Sequence, residues 1–153
     1  MRARMRNPAL VVPGAMQGLL QVFKAVQEVG VAANTLNLVM IRASQINGCS
    51  YCVDRHNKEA KQLGESEERR WAVAAWRDSP HFEPAERAAL ELTEYATRLA
   101  DRTGDQVPDD VYARAAEHFD EQQLSALILT IGVINLFNRL MAVTRMPAGT
   151  VMR

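Results

Sequence analysis

The segment running from Asp120 to Thr144 is the strongest constraint on this chain, because Leu124, Leu127, Ile128, Ile131, Val133, Ile134, Leu136, Phe137, Leu140 and Met141 all fall inside it. Wound at 3.6 residues per turn, these side chains cover most of a helix's circumference rather than one stripe. Such a helix has to be enclosed, and a single small domain seldom encloses one completely. The segment therefore predicts a homo-oligomer in which this helix lies at the centre or at a subunit interface. Asp120 with Gln123 three residues later resembles a capping box and marks its start. Its longest apolar stretch, Leu124 to Phe137, contains Ser125, Thr130 and Asn135 and stops at Arg139, short of the roughly 20 residues that cross a bilayer.

The remaining chain reads as helix as well. Leu19, Leu20, Phe23 and Val26 recur at helical spacing before Gly30, and Asn34 is placed to cap a helix carrying Leu36, Val39, Met40 and Ala43. A third helix starts near Cys49 and ends at Gly64. Ser66 opens a fourth, Glu67 to about Asp78, with Trp71, Ala74 and Ala75 expected to face inward and Pro80 ending it. Pro84 begins a fifth, Pro108 a sixth, and Asp120 the long last one. No sustained alternation of period two is present. The expectation is one all-α domain over residues 1–153, with about seven helices.

Of the 153 residues 48% are hydrophobic and 24% charged, the make-up of an ordinary globular domain. A chain of this length buries roughly 70% of its unfolded surface, so its core requires neither disulfide nor metal. The 18 basic and 18 acidic residues give formal net charge +0, which excludes global steering toward nucleic acid or an anionic membrane. Arg2, Arg4 and Arg6 superficially imitate an export signal, but Pro8, Pro13 and Gly14 break the apolar stretch that follows. A cytoplasmic location is expected, and there a close cysteine pair is redox-active or metal-binding rather than a staple.

That pair lies in Ser44-Gln45-Ile46-Asn47-Gly48-Cys49-Ser50-Tyr51-Cys52-Val53-Asp54-Arg55-His56. On a helix the i to i+3 step turns through about 300° and i to i+7 through about 700°, so Cys49, Cys52 and His56 share a face. A helix start favours thiolate, the spacing lets one sulfur attack the other once oxidised, and His56, four residues after Cys52, can take its proton. Taken singly, the cysteines also read as small buried hydrophobes. Zinc needs about four ligands, and neither His81 nor His118 sits in a second ligand pair. The shared face tips the reading toward a redox site without metal. Helix-end electrostatics point to Cys49 as the more acidic thiol, the histidine to Cys52.

The segment Ser44 to Cys52 with His56 resembles the core motif of the alkyl hydroperoxidase D-like branch of the carboxymuconolactone decarboxylase family. Asn7-Pro8, Pro13-Gly14-Ala15-Met16, Ala74-Ala75-Trp76-Arg77 and Ile134 to Leu140 are similar to that family too. The resemblance implies an all-helical domain assembled as a homo-trimer or homo-hexamer, without metal, flavin or haem. It implies a thiol peroxidase in which Cys52 attacks a hydroperoxide, Cys49 resolves the sulfenic acid into a disulfide and His56 relays the proton. A dithiol reductant of lipoyl or thioredoxin type would then reset the pair.

One position departs from the family pattern: twelve residues before Cys49, where the relay has a glutamate, stands Asn37. An amide cannot pass on a proton as a carboxylate does, and losing a general base costs about 10²–10⁴-fold. Glu59, three residues after His56, is placed to orient the imidazole instead. The departure also keeps open a thiol redox sensor without turnover. The wider family's lactone decarboxylation is a further alternative, although that chemistry does not require the intact pair found here. Asn135 and Asn138, on the most apolar helix, are expected to build a hydrogen-bonded network, and Tyr51 to lie exposed.

Overall fold

Two helix starts close on the side chains expected to cap them, Asp120 and Ser66. Asp120 Oδ1 accepts the Gln123 N–H at 2.9 Å while Gln123 Oε1 accepts the Asp120 N–H at 3.2 Å. Ser66 Oγ accepts the Arg69 N–H at 3.2 Å, and Glu83 and Glu86 form a second reciprocal box on either side of Pro84. The computed structural model describes residues 2–101 and 103–151. Among these, the α-helices are α1 (Pro8–Val11), α2 (Ala15–Gln27), α3 (Ala33–Ile46), α4 (Ser50–Gln62), α5 (Glu67–Ala72), α6 (Pro84–Thr97), α7 (Asp109–Ala116) and α8 (Glu121–Thr144). Two 3-10 turns, Val73–Asp78 and Leu99–Asp101, complete the set, and no strand occurs among the described residues.

The architecture is all-α as expected, with three local corrections. A short first helix was not anticipated: Asn7 caps it by accepting the Ala9 N–H at 3.0 Å, and Pro8 sits at its first position. α3 begins after Ala32, so Asn34 lies inside the helix and caps nothing. The stretch Glu67 to Asp78 is not one helix either. It tightens at Val73, and Ala75 leaves helical dihedrals (φ −124°, ψ 37°). The period shortens toward about 3 residues per turn, which leaves Trp71 69% exposed beside exposed Ala74 and Ala75 and brings Val73 and Trp76 inward.

The central position belongs to α3, whose Leu36, Leu38, Val39, Ile41 and Ala43 are all buried. It packs on α4, α6 and α8. Leu36 and Val39 meet Leu92 of α6, Val111 of α7 and Leu127 and Ile131 of α8 in the largest apolar cluster. Leu38 and Ile41 face Ala60, Val73, Trp76 and Leu90 in a second. α8 is therefore not enclosed: Ile128, Leu129, Leu136 and Val143 remain 39–68% exposed. By length and composition α8 could cross a bilayer, yet its inward face buries Thr130, Asn135, Asn138 and Thr144 and packs against α2, α3, α4, α6 and α7. One face of it belongs to the core of a helical domain, and the other is open.

A buried carboxylate ties α3, α6 and the Val73–Asp78 turn together. Glu94 accepts from Arg42 Nη2 at 2.6 Å, from Arg77 Nη1 at 2.6 Å and from Trp76 Nε1 at 2.9 Å. Burial raises its proton affinity, but these three donors together hold it below the ordinary glutamate range.

Candidate functional site

The α3–α4 corner sets the cysteine geometry. Gly48 has φ 64°, a conformation that costs glycine nothing, and two bonds close the end of α3: Gly48 N–H to Gln45 O at 3.2 Å and Cys49 N–H to Ser44 O at 3.0 Å. The same Cys49 is the N-cap of α4, and its Sγ accepts the Cys52 N–H at 3.3 Å. One residue thus ends one helix and starts the next. Cys49 and Cys52 are joined as a disulfide, with Cα atoms 5.3 Å apart. Both are almost fully buried, in a small cluster with Tyr51, Met141 and Met146.

The corner is pinned from behind by amides. Asn47 Nδ2 donates to Asn135 Oδ1 at 2.9 Å and to Asn138 Oδ1 at 2.8 Å, both on α8, while Asn138 Nδ2 donates to Ser44 Oγ at 3.0 Å. Asn135 Nδ2 donates in turn to Thr97 Oγ1 at 3.1 Å. The two α8 amides therefore build the expected network and do not line the pocket of Cys52. Sequence reasoning missed that Asn47 is its hub. An Asn-Gly pair signals where a helix ends, but nothing near it in sequence signals a contact with residues 88 and 91 positions away.

Cys52 and His56 open onto one cavity of about 330 Å³, between α2, α4 and α8. Its walls are largely apolar: Leu20 and Phe23 from α2, Met40 from α3, Ile134 and Phe137 from α8. Phe23 and Phe137 stack with centroids 5.9 Å apart. Tyr51, expected to be exposed, is 6% exposed and lines this cavity, because it lies on the α4 face turned toward α8.

His56 Nδ1 lies 2.6 Å from Glu59 Oε2, and Glu59 Oε1 accepts Arg55 Nε at 2.9 Å. Burial pushes the Glu59 proton affinity up, but the bond to His56 and the guanidinium of Arg55 outweigh it and lower the carboxyl to about 2. The glutamate thus stays charged and fixes the imidazole. Asn37 does not join this group: it is 2% exposed, its Oδ1 has no hydrogen-bond partner, and it lines a neighbouring cavity that also touches Glu59. Among the described residues no group of three or more His, Cys, Asp or Glu is gathered as a metal ion would require.

The depressed Glu59 carboxyl predicts a pH signature. A group whose folded pKa lies below its unfolded value of 4.5 adds stability above that pH and loses it as pH falls toward about 2. Wild-type protein should be more stable than Glu59→Gln at neutral pH, with the difference closing over that window, as read from urea midpoints. A gap independent of pH would show that the His56–Glu59 contact carries no charge interaction.

A sequence model of the carboxymuconolactone decarboxylase family matches residues 13–95. The uncharacterized protein YdfG of Bacillus subtilis is 37% identical over 130 residues, which cover 85% of this chain and 86% of that one. The uncharacterized protein YnjA of Escherichia coli is 38% identical over 112 residues, 73% of this chain and 59% of that one. The structure is similar to that of ATU0492 from Agrobacterium tumefaciens, described as a putative antioxidant defence protein AhpD, with TM-score 0.87 and 31% identity over 98% of this chain and 100% of that one. The fold is also shared, at 18% identity and TM-score 0.71 over 92% of this chain and 72% of that one, with the debrominase Bmp8 solved in complex with 2,3,4-tribromopyrrole.

Proposed function

Because the chain belongs to the carboxymuconolactone decarboxylase family, in its alkyl hydroperoxidase D-like branch, we propose that it is a dithiol peroxidase acting on organic hydroperoxides. The observation that carries this reading is the disulfide-forming pair whose Cys52, but not Cys49, shares an apolar cavity with His56. In the reduced protein the Cys52 thiolate attacks the outer peroxide oxygen and the O–O bond breaks. The alcohol leaves with a proton from the imidazolium held by Glu59, and Cys52 becomes a sulfenic acid. Cys49 attacks that sulfur, expelling water and closing the disulfide, and a dithiol of lipoyl or thioredoxin type returns two electrons and two protons. No step calls on a metal, flavin or haem, and the cycle suits the reducing cytoplasm. The arrangement of Glu59 on His56 offsets the missing carboxylate at Asn37, which favours turnover over a thiol sensor. Lactone decarboxylation gives the paired sulfurs no part to play.

Free-thiol titration tests the reading. Reduced protein should present two thiols and lose both to one equivalent of an organic hydroperoxide, with one alcohol formed and peroxide consumed continuously once a dithiol is added. Thiols that persist would overturn it, and a disulfide that forms once without turnover would leave the sensor.

The same reading includes self-association as a homo-trimer or homo-hexamer. The exposed side of α8, with Ile128, Leu129, Leu136 and Val143, is the apolar surface that a second copy would cover. Light scattering at micromolar concentration should give a multiple of the chain mass, reduced by Leu129→Glu. A wild-type monomer would remove the proposal.

A further inference from the structure

The two sulfurs of the disulfide face different cavities. Cys52 lines the apolar one with His56, whereas Cys49 lines a separate, open cavity of about 570 Å³ with Gly48, Ser50, Met146, Arg2 and Arg145. No acidic residue lines this second cavity. Among the described residues neither arginine meets a carboxylate, while the C-terminal carbonyls of α8 are served by a third: Arg4 gives its N–H to Thr144 O at 2.8 Å and its Nη1 to Val143 O at 3.2 Å. Arg145 has φ 52°, the sole described non-glycine residue in the left-handed region, at a helix end where glycine or asparagine would sit more easily. The chain's formal net charge is +0, so an attraction for anions here is local to these two side chains.

Resting on the dithiol reading above, we infer that this second cavity is the entry site of the reductant, and that the reductant is a small dithiol bearing an anionic group. A thiolate attacks a disulfide along the line of the S–S bond. A donor arriving beside Arg2 and Arg145 therefore reaches Cys49 Sγ with Cys52 as the leaving sulfur. The first step forms a donor–Cys49 mixed disulfide and releases Cys52 as thiolate next to the His56–Glu59 pair. The donor's second thiolate then attacks its own bound sulfur, breaks the mixed disulfide and frees Cys49, whose charge is met by the Cys52 N–H. The donor becomes a cyclic disulfide, and its two electrons and two protons end on the cysteines. Peroxide and reductant thus use opposite ends of one bond and do not compete for a cavity.

Dihydrolipoate and dihydrolipoamide carry identical thiols and differ in a carboxylate against a neutral amide. Mixed anaerobically with the disulfide protein, without peroxide, dihydrolipoate should reduce it at least about fivefold faster at low salt, with the advantage shrinking as salt screens the arginines. In the double variant R2Q/R145Q the two rates should converge. Thioglycolate, trapped as a mixed disulfide and located by peptide fragmentation, should sit on Cys49. Equal rates in wild-type protein, an advantage that survives in the double variant, or an adduct on Cys52 would each overturn the inference. Since no peroxide is present, a protein that fails to turn over peroxide can still pass this test. One that reduces without regard to charge can still be a peroxidase.

Discussion

Cys52→Ser should lower peroxide consumption to the uncatalysed background, a loss of at least about 10³-fold, because a serine hydroxyl at neutral pH supplies no nucleophile comparable with a thiolate. Cys49→Ser should behave differently. It should consume one equivalent of hydroperoxide, accumulate a sulfenic acid on Cys52 and then stop, since no resolving sulfur remains. Two forces compete over this assignment. Cys49 caps α4 and its Sγ already accepts the Cys52 N–H, so helix-end electrostatics stabilise charge there. His56 can accept a proton at Cys52, and only Cys52 lines the apolar cavity where a hydroperoxide would sit. The cavity decides, because only at Cys52 do apolar walls and His56 stand together to hold an organic hydroperoxide and move its proton. Diketone labelling of both single variants after peroxide checks the outcome, and sulfenic acid forming on Cys49 in Cys52→Ser at the wild-type rate would reverse the roles.

The largest effect on stability is expected at Glu94. Glu94→Ala leaves the buried indole N–H of Trp76 without its acceptor and takes the carboxylate from the Arg42 guanidinium, which keeps only the longer contact to Gln45. Removing one member of a buried ion pair costs about 3–5 kcal/mol, or a fall in Tm of about 6–20 °C for a chain of this size. Glu94→Gln keeps an oxygen in place and should cost roughly half as much, because hydrogen bonds survive where the charge does not. Thermal and urea unfolding at pH 7 measure both. A loss below about 1 kcal/mol in Glu94→Ala would mean that the arginines find water instead and that the carboxylate does not join the elements.

Local chemistry was legible wherever a short stretch of chain settles it. Asp120, Ser66 and Pro84 start helices because each acts on backbone groups within three residues. Glu59 meets His56 because i and i+3 adjoin on any helix. The family follows from the Ser44 to His56 segment for the same reason: its chemistry is packed into one helix start. Less legible was the stretch after Ser66, where a change from α to 3-10 period turned Trp71 outward, since the choice rests on how Val73 and Trp76 fit against α3 and α6.

The sequence alone determined an all-helical chain with a Cys-x-x-Cys pair and a histidine four residues after its second cysteine, because periodicity and spacing are properties of neighbours along the chain. The single face expected for all three is kept by Cys52 and His56, while Cys49 caps the helix in extended conformation. Tertiary structure decided that α3 and not α8 is central, that Asn47 anchors the corner to Asn135 and Asn138, and that the two sulfurs look into different cavities. Each of these joins residues of distant sequence position. Which of several apolar faces is buried, and which side of a bond is open, is settled by the competition among all helices for the same interior.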